Sequence, residues 1–193
     1  MASREELITR IGEYLDQKDL NHYYNNDDHG TDAFVMFTGC PSRIGTLSIK
    51  IYPLDEELIF AAVSPVKVDA CDVDTMRKAS EYLHRATYGM KIGAFDLDFN
   101  DGEAQFRASI PVKEAVPNDD TLGMLVAIGP SMWARYGDGF FNVAFLGAEP
   151  EKEVADAEGS SEHLAELLRR IRAAQSAEDD DDAEGHGIGV MEC

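Results

Sequence analysis

The segment from Leu83 to Pro111 constrains the fold of this chain more than any other part of the sequence. Apolar and polar residues alternate in two runs, 95–100 and 105–110, and Phe99 is the last apolar position of the first run. Side chains of a strand point to opposite faces in turn, so each run predicts a strand with one dry and one wet face. Asp101-Gly102 between the runs is typical of a hairpin turn, because glycine tolerates positive φ. The segment therefore predicts an antiparallel hairpin that follows the end of a helix.

The chain is strongly acidic, with a formal net charge of −20 over 193 residues. Residues 149–193 hold 14 acidic and four basic residues, so half of this charge lies in the last quarter of the chain. Such a field repels phosphate backbones and anionic lipids, so we expect neither nucleic acid nor a membrane as partner. The opening residues lack a signal-peptide core and no run approaches a membrane span, which predicts a cytoplasmic protein. Three scattered cysteines indicate neither a disulfide framework nor a zinc cluster.

Periodicity predicts one helix and three strands in the first third of the chain. Ser3 and Glu6 fit a capping box, and apolar residues at helical spacing predict a helix over about 4–20. The polar residues 21–32 are rich in turn formers and predict a connection. Strand-like runs follow, of which the first and third are apolar on both faces, as in strands that are covered on both sides. The three runs are 32–38, 46–52 and 58–64.

Two further helices are predicted around the hairpin. Asp72 is a suitable N-cap for the first of them, and Gly89 is suited to end it. After the hairpin, Pro117-Asn118-Asp119 opens a helix in which Pro130 removes a backbone donor. We expect Pro130 to kink or divide that helix, and the last turns of the aromatic-rich block 133–146 to form a short helix of their own.

The composition changes at Glu149, which predicts a domain boundary. Residues 1–148 then form one α+β domain, and residues 149–193 form an acidic tail. Residues 162–174 have leucines at helical spacing and predict a short helix within that tail. The rest of the tail has no periodicity, so we expect it to be disordered.

The element order and the hairpin motifs resemble the YbjN family, bacterial proteins with the fold of type III secretion chaperones. The later Trp133-Ala134-Arg135-Tyr136 is similar to the last helix of that family. Two features depart from the family pattern, namely His84, where such chains often have Asn, and the acidic tail. The segments that carry the resemblance are Leu83–Gly89, Lys91–Asp98, Asp101–Glu103 and Phe106–Pro111.

The resemblance implies a single-domain α+β fold with an antiparallel five-stranded sheet in the order α-β-β-β-α-β-β-α. It also implies a protein that is not an enzyme and needs no cofactor. Secretion chaperones of this fold form dimers that bind an extended segment of a client protein, and YbjN proteins are regarded loosely as regulators. The leading hypothesis is therefore a non-catalytic, protein-binding regulator or chaperone-like adaptor that forms a homodimer.

The doubly apolar strands are the candidate binding surface. If helices cover one sheet face only, then either Phe34 and Met36 or the alternating Val35 and Phe37 need a second cover. That cover comes from the chain itself, from a second subunit or from a client segment, since exposed apolar patches mark interfaces. Unpaired sheet edges also accept extended peptides by strand addition. The residues that we single out for protein binding are Phe34, Met36, Phe37, Trp133, Phe140 and Phe141.

Two alternative functions stay open. His22, Asp27, Asp28 and His29 are the one local cluster in the sequence whose side chains suit zinc or manganese. A metal-dependent hydrolase built on this cluster is the second hypothesis, although its spacing matches no motif with known mechanics, so no catalytic or metal-binding residue is assigned. The third hypothesis is a structural subunit of a larger assembly whose tail contacts a basic neighbour.

Overall fold

The computed structural model describes residues 3–25, 32–112 and 115–159. They form a single antiparallel sheet with helices packed on it, an α+β architecture. A last helix, α4, covers residues 150–159. No helix in the described ranges combines the length and the apolar character needed to cross a bilayer. The other elements are α1 (Arg4–Gln17), β1 (His22–Asn25), β2 (Ala33–Gly39), β3 (Thr46–Pro53), β4 (Glu57–Lys67), α2 (Val73–Thr87), β5 (Ala94–Leu97), β6 (Glu103–Pro111) and α3 (Asp119–Leu146).

The sheet has the strand order β1-β2-β3-β4-β6-β5, and every neighbouring pair is antiparallel. Its register aligns Phe34 with Ile51, and Ile51 in turn with Phe60. Phe60 lies opposite Ala108 of β6. Because partners in register point to the same face, these residues form an apolar row across the sheet.

The sheet has six strands, so the prediction of five was wrong. The additional strand is β1, which pairs with β2 at the edge of the sheet in a register that places His22 opposite Met36. It lies in the segment that was predicted to be a connection, because Asn, Asp and Gly dominate the composition there. Tyr24 of β1 packs on Phe34 with ring centroids 4.7 Å apart. This cross-strand contact depends on β2, so the segment itself carries little strand signal.

The starts of the helices are those that the capping residues predicted. At α1, Glu6 N–H donates to Ser3 Oγ at 3.2 Å and Ser3 N–H donates to Glu6 Oε2 at 2.7 Å, which is the reciprocal capping box. At α2, Thr75 N–H donates to Asp72 at 3.1 Å. The Asn118 side chain caps α3 in the same way. These local hydrogen bonds satisfy donors that the helix itself leaves unpaired.

The helices α1 and α3 pack on the face that carries the apolar row, termed the helix-covered face. Trp133 of α3 donates its indole N–H to the carbonyl oxygen of Ala62 at 2.8 Å. Its ring also meets Phe95 of β5 edge-on, with centroids 4.9 Å apart. Toward the β1–β2 edge of the same face, Gly12 of α1 lies against the ring of Phe34. The hydrophobic core therefore lies between the helix layer and one side of the sheet.

The helix α2 lies beside α3 in the same layer. Tyr82 of α2 is fully buried and donates its hydroxyl to the carbonyl oxygen of Tyr136 at 2.7 Å. Gly139 makes room for this ring, since a Cβ there would lie 2.4 Å from the Tyr82 hydroxyl oxygen. Burial raises the pKa of the Tyr82 hydroxyl, so it acts as a neutral donor.

The helix α3 runs from Asp119 to Leu146, so Pro130 does not divide it and the aromatic block forms no separate helix. An interior proline typically costs about 3 kcal/mol or more. Here the helix buries Leu125, Trp133 and other apolar side chains on both sides of the proline. Tertiary packing thus outweighs the local tendency of Pro130 to end the helix.

Glycine allows α3 to approach the sheet closely, and Gly129→Ala is expected to lower the free energy of unfolding by about 1–3 kcal/mol. An alanine Cβ at this position would lie 2.5 Å from the Ala62 Cβ, and both atoms are held by backbone. Helix propensity alone favours alanine by up to about 1 kcal/mol, so the sign of the change reports the contact.

The matched control for this substitution is Gly123→Ala on the same helix. A Cβ there would meet only the hydroxyl of Tyr14, the far end of a side chain, at 3.1 Å. Urea denaturation followed by circular dichroism should show Gly123→Ala as neutral or stabilising. Stabilisation of the protein by both substitutions would contradict the close contact at Gly129.

The hairpin between β5 and β6 is confirmed, but its first strand ends at Leu97. Phe99 therefore belongs to the turn, where it is 61% exposed, and does not extend the apolar face of the strand as predicted. The turn is closed by Asp98 N–H to Glu103 O and by Gly102 N–H to Asp98 O, each at 2.8 Å. These turn hydrogen bonds end the pairing of β5 with β6 at Leu97, although the alternation of apolar and polar residues continues to residue 100.

The predicted disorder of the tail is wrong for residues 150–159, which form α4. Val154 of this helix is 8% exposed and belongs to the core cluster. Just before α4, Glu149 pairs with Lys78 of α2 at 2.7 Å. The acidic composition obscures the helical pattern of α4, because a helix that packs against neighbouring helices needs only a few apolar residues. The folded unit thus extends past the predicted boundary, and the predicted helix 162–174 lies outside the described residues.

Candidate protein-binding surfaces

The side of the sheet opposite the helices is termed the open face. Alternation along β2 places Val35 and Phe37 on this side, opposite to Phe34 and Met36. The helix contacts described above all lie on the other side. Phe37 is 61% exposed and Tyr23 of β1 is 54% exposed. The outward-pointing residues of β1 to β4 include Tyr23, Val35, Phe37, Lys50, Tyr52, Ile59, Ala61 and Val63.

The centre of the open face is polar at its surface. Ala61 lies in register between Lys50 and Arg107, and it is buried although it does not belong to the hydrophobic core cluster. The long stems of lysine and arginine cover apolar surface while their charges stay in water. Arg107 also pairs with Asp96 of β5 at 2.9 Å. The exposed apolar residues of the open face are therefore concentrated at its β1–β2 corner.

The strand β2 extends past the start of β1 at this corner. The pairing of β1 with β2 begins at His22 and Met36, so Thr38 and Gly39 of β2 lie beyond that ladder. The amide of Cys40 faces β3, because it donates to the carbonyl of Gly45 at 2.8 Å. The alternation of an antiparallel strand then turns the N–H and C=O groups of Phe37 and Gly39 away from β3. The exposed ring of Phe37 thus lies where the β1–β2 ladder ends, next to the edge of β2 at Gly39.

The residues predicted to bind protein fall into two groups. Phe37 lies on the open face, and Phe141 reaches the surface at the end of α3. Aromatic residues occur both in protein cores and at binding surfaces. Their presence in the sequence therefore could not tell the buried residues from the exposed ones. The residues that must be corrected from surface to core, each at most 5% exposed, are Phe34, Met36, Trp133 and Phe140.

Phe141 belongs to a second apolar patch at the end of α3. Its ring lies 5.0 Å from that of Phe145, which is half exposed, and Leu146 beside them is 65% exposed. Arg43, from the loop between β2 and β3, sits over the Phe141 ring at 5.2 Å. Arg43 is also held by Asp138 at 3.6 Å, so this patch already has a charged cover.

His22 is the described member of the predicted metal cluster. Its Nδ1 lies 2.8 Å from the carbonyl oxygen of Leu20, and its Nε2 lies 4.0 Å from Asp16. The other members, Asp27, Asp28 and His29, lie outside the described residues, so the metal-dependent hydrolase stays an untested prediction. Within the ranges that the structure describes, no three His, Cys, Asp or Glu side chains are grouped to hold a metal ion.

The titratable groups with clearly shifted pKa values are mainly explained by packing or by local pairing. Burial is the largest cause of the raised pKa of Tyr52 and of Tyr136. The pKa of Asp101 is lowered by its hydrogen bond with Lys67 at the surface. These shifts thus report the packing of the tyrosine rings and an ion pair at the surface.

A groove of about 380 Å³ lies between α3 and the loop that joins α2 to β5, and it is termed the α2–β5 groove. Sequence reasoning missed it, because its two walls are more than 35 residues apart in the chain. The available signal was a pair of glycines, Gly89 and Gly93, that bracket apolar residues in a loop. The residues that line it include Tyr88, Lys91, Ile92, Ile128, Met132, Arg135 and Glu158.

Comparison with known proteins shows a distant likeness of fold. No protein-family model and no curated protein match the chain. A matching solved structure is "Crystal structure of YbjN, a putative transcription regulator from E. coli", with a TM-score of 0.45 and 13% sequence identity. The match covers 66% of this chain and 85% of the YbjN chain.

Proposed function

We propose that this protein is a non-catalytic, protein-binding adaptor or regulator that forms a homodimer through its open face. The observation that carries the proposal is that the 61% exposed ring of Phe37 lies where the β1–β2 ladder ends and β2 continues to Gly39. A second strand laid along the edge of β2 beyond β1 would pair the outward backbone groups of Gly39. The neighbouring Tyr23 would then be covered by the same partner.

A second copy of the chain is the partner that suits this corner. A two-fold axis places the same strand edge against itself, so the outward backbone groups of each copy can pair with those of the other. Apolar area removed from water contributes roughly 25 cal/mol per Å², and the exposed rings of Phe37 and Tyr23 supply such area. The polar centre with Lys50 and Arg107 would form the rim of the interface.

Phe37→Glu is expected to convert the dimer to a monomer, because it places a charge in the buried centre of the proposed interface. The measurement is the mass from light scattering over a range of protein concentrations. Circular dichroism should stay unchanged, since the Phe37 side chain makes little contact within the monomer.

Phe99→Glu is the matched control, because Phe99 is also 61% exposed but lies in the β5–β6 turn. We expect this variant to remain a dimer. A native protein that is monomeric at every concentration would overturn the dimer proposal. A Phe37→Glu variant that associates as tightly as the native protein would do the same.

A further inference from the structure

The loop that forms one wall of the α2–β5 groove is held in shape by internal contacts. The Phe95 N–H donates to Thr87 Oγ1 at 3.0 Å, and the Met90 N–H donates to the Thr87 carbonyl at 3.0 Å. Gly93 has φ +76°, and a Cβ there would lie 2.4 Å from the Phe106 ring. These contacts fix the conformation of the loop, so its exposed apolar residues belong to an ordered surface.

The groove has an apolar wall on each side. Tyr88 is 87% exposed and Ile92 is 40% exposed on the loop side. Ile128 and Met132 of α3 are half-buried and form the facing wall. An apolar side chain of a partner placed between these walls would be largely removed from water, which favours binding.

Two cations line the same groove without a described counterion. The Nε of Arg135 is buried and has no hydrogen-bond partner, and its guanidinium lies 5.1 Å from the ring centroid of Tyr136. Among the described residues, no hydrogen bond or ion pair neutralises Arg135 or Lys91. A buried donor without an acceptor is destabilising, because it has lost its hydrogen bonds to water. The planar fork of arginine is best matched by a carboxylate.

The charge of the rest of the chain makes this pair unusual. The formal net charge is −20, so most of the surface repels an acidic partner and the pair of cations marks one place that attracts it. Glu158 of α4 also lines the groove, and its carboxylate opposes an acidic ligand. An apolar channel with cations on it suits a ligand that is apolar and anionic in adjacent positions.

We propose that the α2–β5 groove binds a segment of a client protein in which acidic and apolar side chains adjoin. One carboxylate of the segment meets Arg135 and Lys91, and a neighbouring apolar side chain packs against Ile92 and Met132. The inference rests on the proposed function, because it names the chemistry of the client that the adaptor takes.

The test is a titration of the full-length protein with a capped hexapeptide that alternates glutamate and leucine, followed by NMR chemical shifts. We expect saturable shifts at Tyr88 to Ile92 and at Arg135. Arg135→Gln should weaken binding at least about tenfold, which corresponds to the loss of about 1.4 kcal/mol. Glu158→Gln should strengthen binding by about twofold to fivefold, as removal of a repulsive surface charge does.

Matched controls separate charge recognition from general effects. Arg43→Gln removes a cation outside the groove, so we expect native affinity for the peptide. A hexapeptide of lysine and leucine should bind far more weakly than that of glutamate and leucine. If Arg135→Gln perturbs the fold, the exposed Lys91→Gln provides the same test with an expected loss of severalfold. Equal binding of both hexapeptides, or native affinity in both groove variants, would overturn the proposal.

The same experiment distinguishes this proposal from the dimer. The peptide should bind to the Phe37→Glu monomer as it does to the native protein, since the groove and the open face use different elements. A dimer that fails to bind the peptide would end the groove proposal alone. A monomeric native protein that binds the peptide would end the dimer proposal alone.

Discussion

Trp133→Ala is expected to lower the free energy of unfolding by about 5 kcal/mol, the largest effect of any single truncation that we predict. The ring is 0% exposed and meets Phe95 and Phe140 edge-on, with centroids 4.9 and 5.5 Å away. Replacing a buried tryptophan by alanine typically costs about 3–5 kcal/mol. The variant also loses the hydrogen bond from the indole N–H to the Ala62 carbonyl, which is 2.8 Å long in the native protein.

A loss of about 5 kcal/mol is large compared with the total free energy of unfolding of a domain, about 5–15 kcal/mol. We therefore expect Trp133→Ala to be partly unfolded or to melt well below the native protein. Because the single tryptophan of the chain is removed, the measurement is urea denaturation followed by far-ultraviolet circular dichroism.

Trp133→Phe is the matched control for this prediction. It keeps an aromatic ring between Phe95 and Phe140 and removes the indole donor, so we expect a loss of about 1–3 kcal/mol. The difference between the two variants then measures the packing of the ring. A Trp133→Ala variant that loses no more stability than Trp133→Phe would show that the ring does not join α3 to the sheet.

Gly102→Ala is expected to lower the free energy of unfolding by about 3–4 kcal/mol, because strain and a steric clash act together. Gly102 has φ +73°, a conformation that costs an L-residue about 1–2 kcal/mol. A Cβ there would lie 1.9 Å from the carbonyl oxygen of Val68, which is backbone. The substitution would also disturb the hydrogen bond from Val68 N–H to Gly102 O at 3.0 Å.

Gly147→Ala separates the two causes. Gly147 at the end of α3 has a similar φ of +68°, but nothing lies within 4 Å of a Cβ at that position. We expect this control to lose only about 1–2 kcal/mol, the strain of the left-handed conformation. Chemical denaturation of both variants gives the cost of the clash as their difference. Equal losses would mean that Val68 moves aside without a penalty.

The parts of the fold that local chemistry specifies were predictable. Ser3 and Glu6 form their capping box, and Asp72 caps α2. The alternation within β3 agrees with its burial, since Leu47 and Ile49 are buried and Ser48 is not. Each of these features depends on residues within a few positions of one another, so the sequence contains the evidence in one place.

The errors share the opposite property. The strand β1 exists because β2 offers it a ladder and Phe34 packs on Tyr24. The helix α3 continues through Pro130 because packing on both sides of it outweighs the local penalty. The groove joins Ile92 to Arg135 across elements that are distant in the chain. Each of these features depends on contacts with residues outside the segment itself, so the pattern of apolar residues within the segment does not predict it.

The run from Ala33 to Phe37 shows how the two sources of information divide. Its sequence by itself determined that Phe34 and Met36 share one side of a strand and that Val35 and Phe37 share the other, because a strand alternates with a period of two. Which side meets the helices depends on the packing of α1 and α3 against the whole sheet. The tertiary structure decided that Phe34 is buried and Phe37 exposed, and with that choice it made Phe37 the candidate for binding a partner.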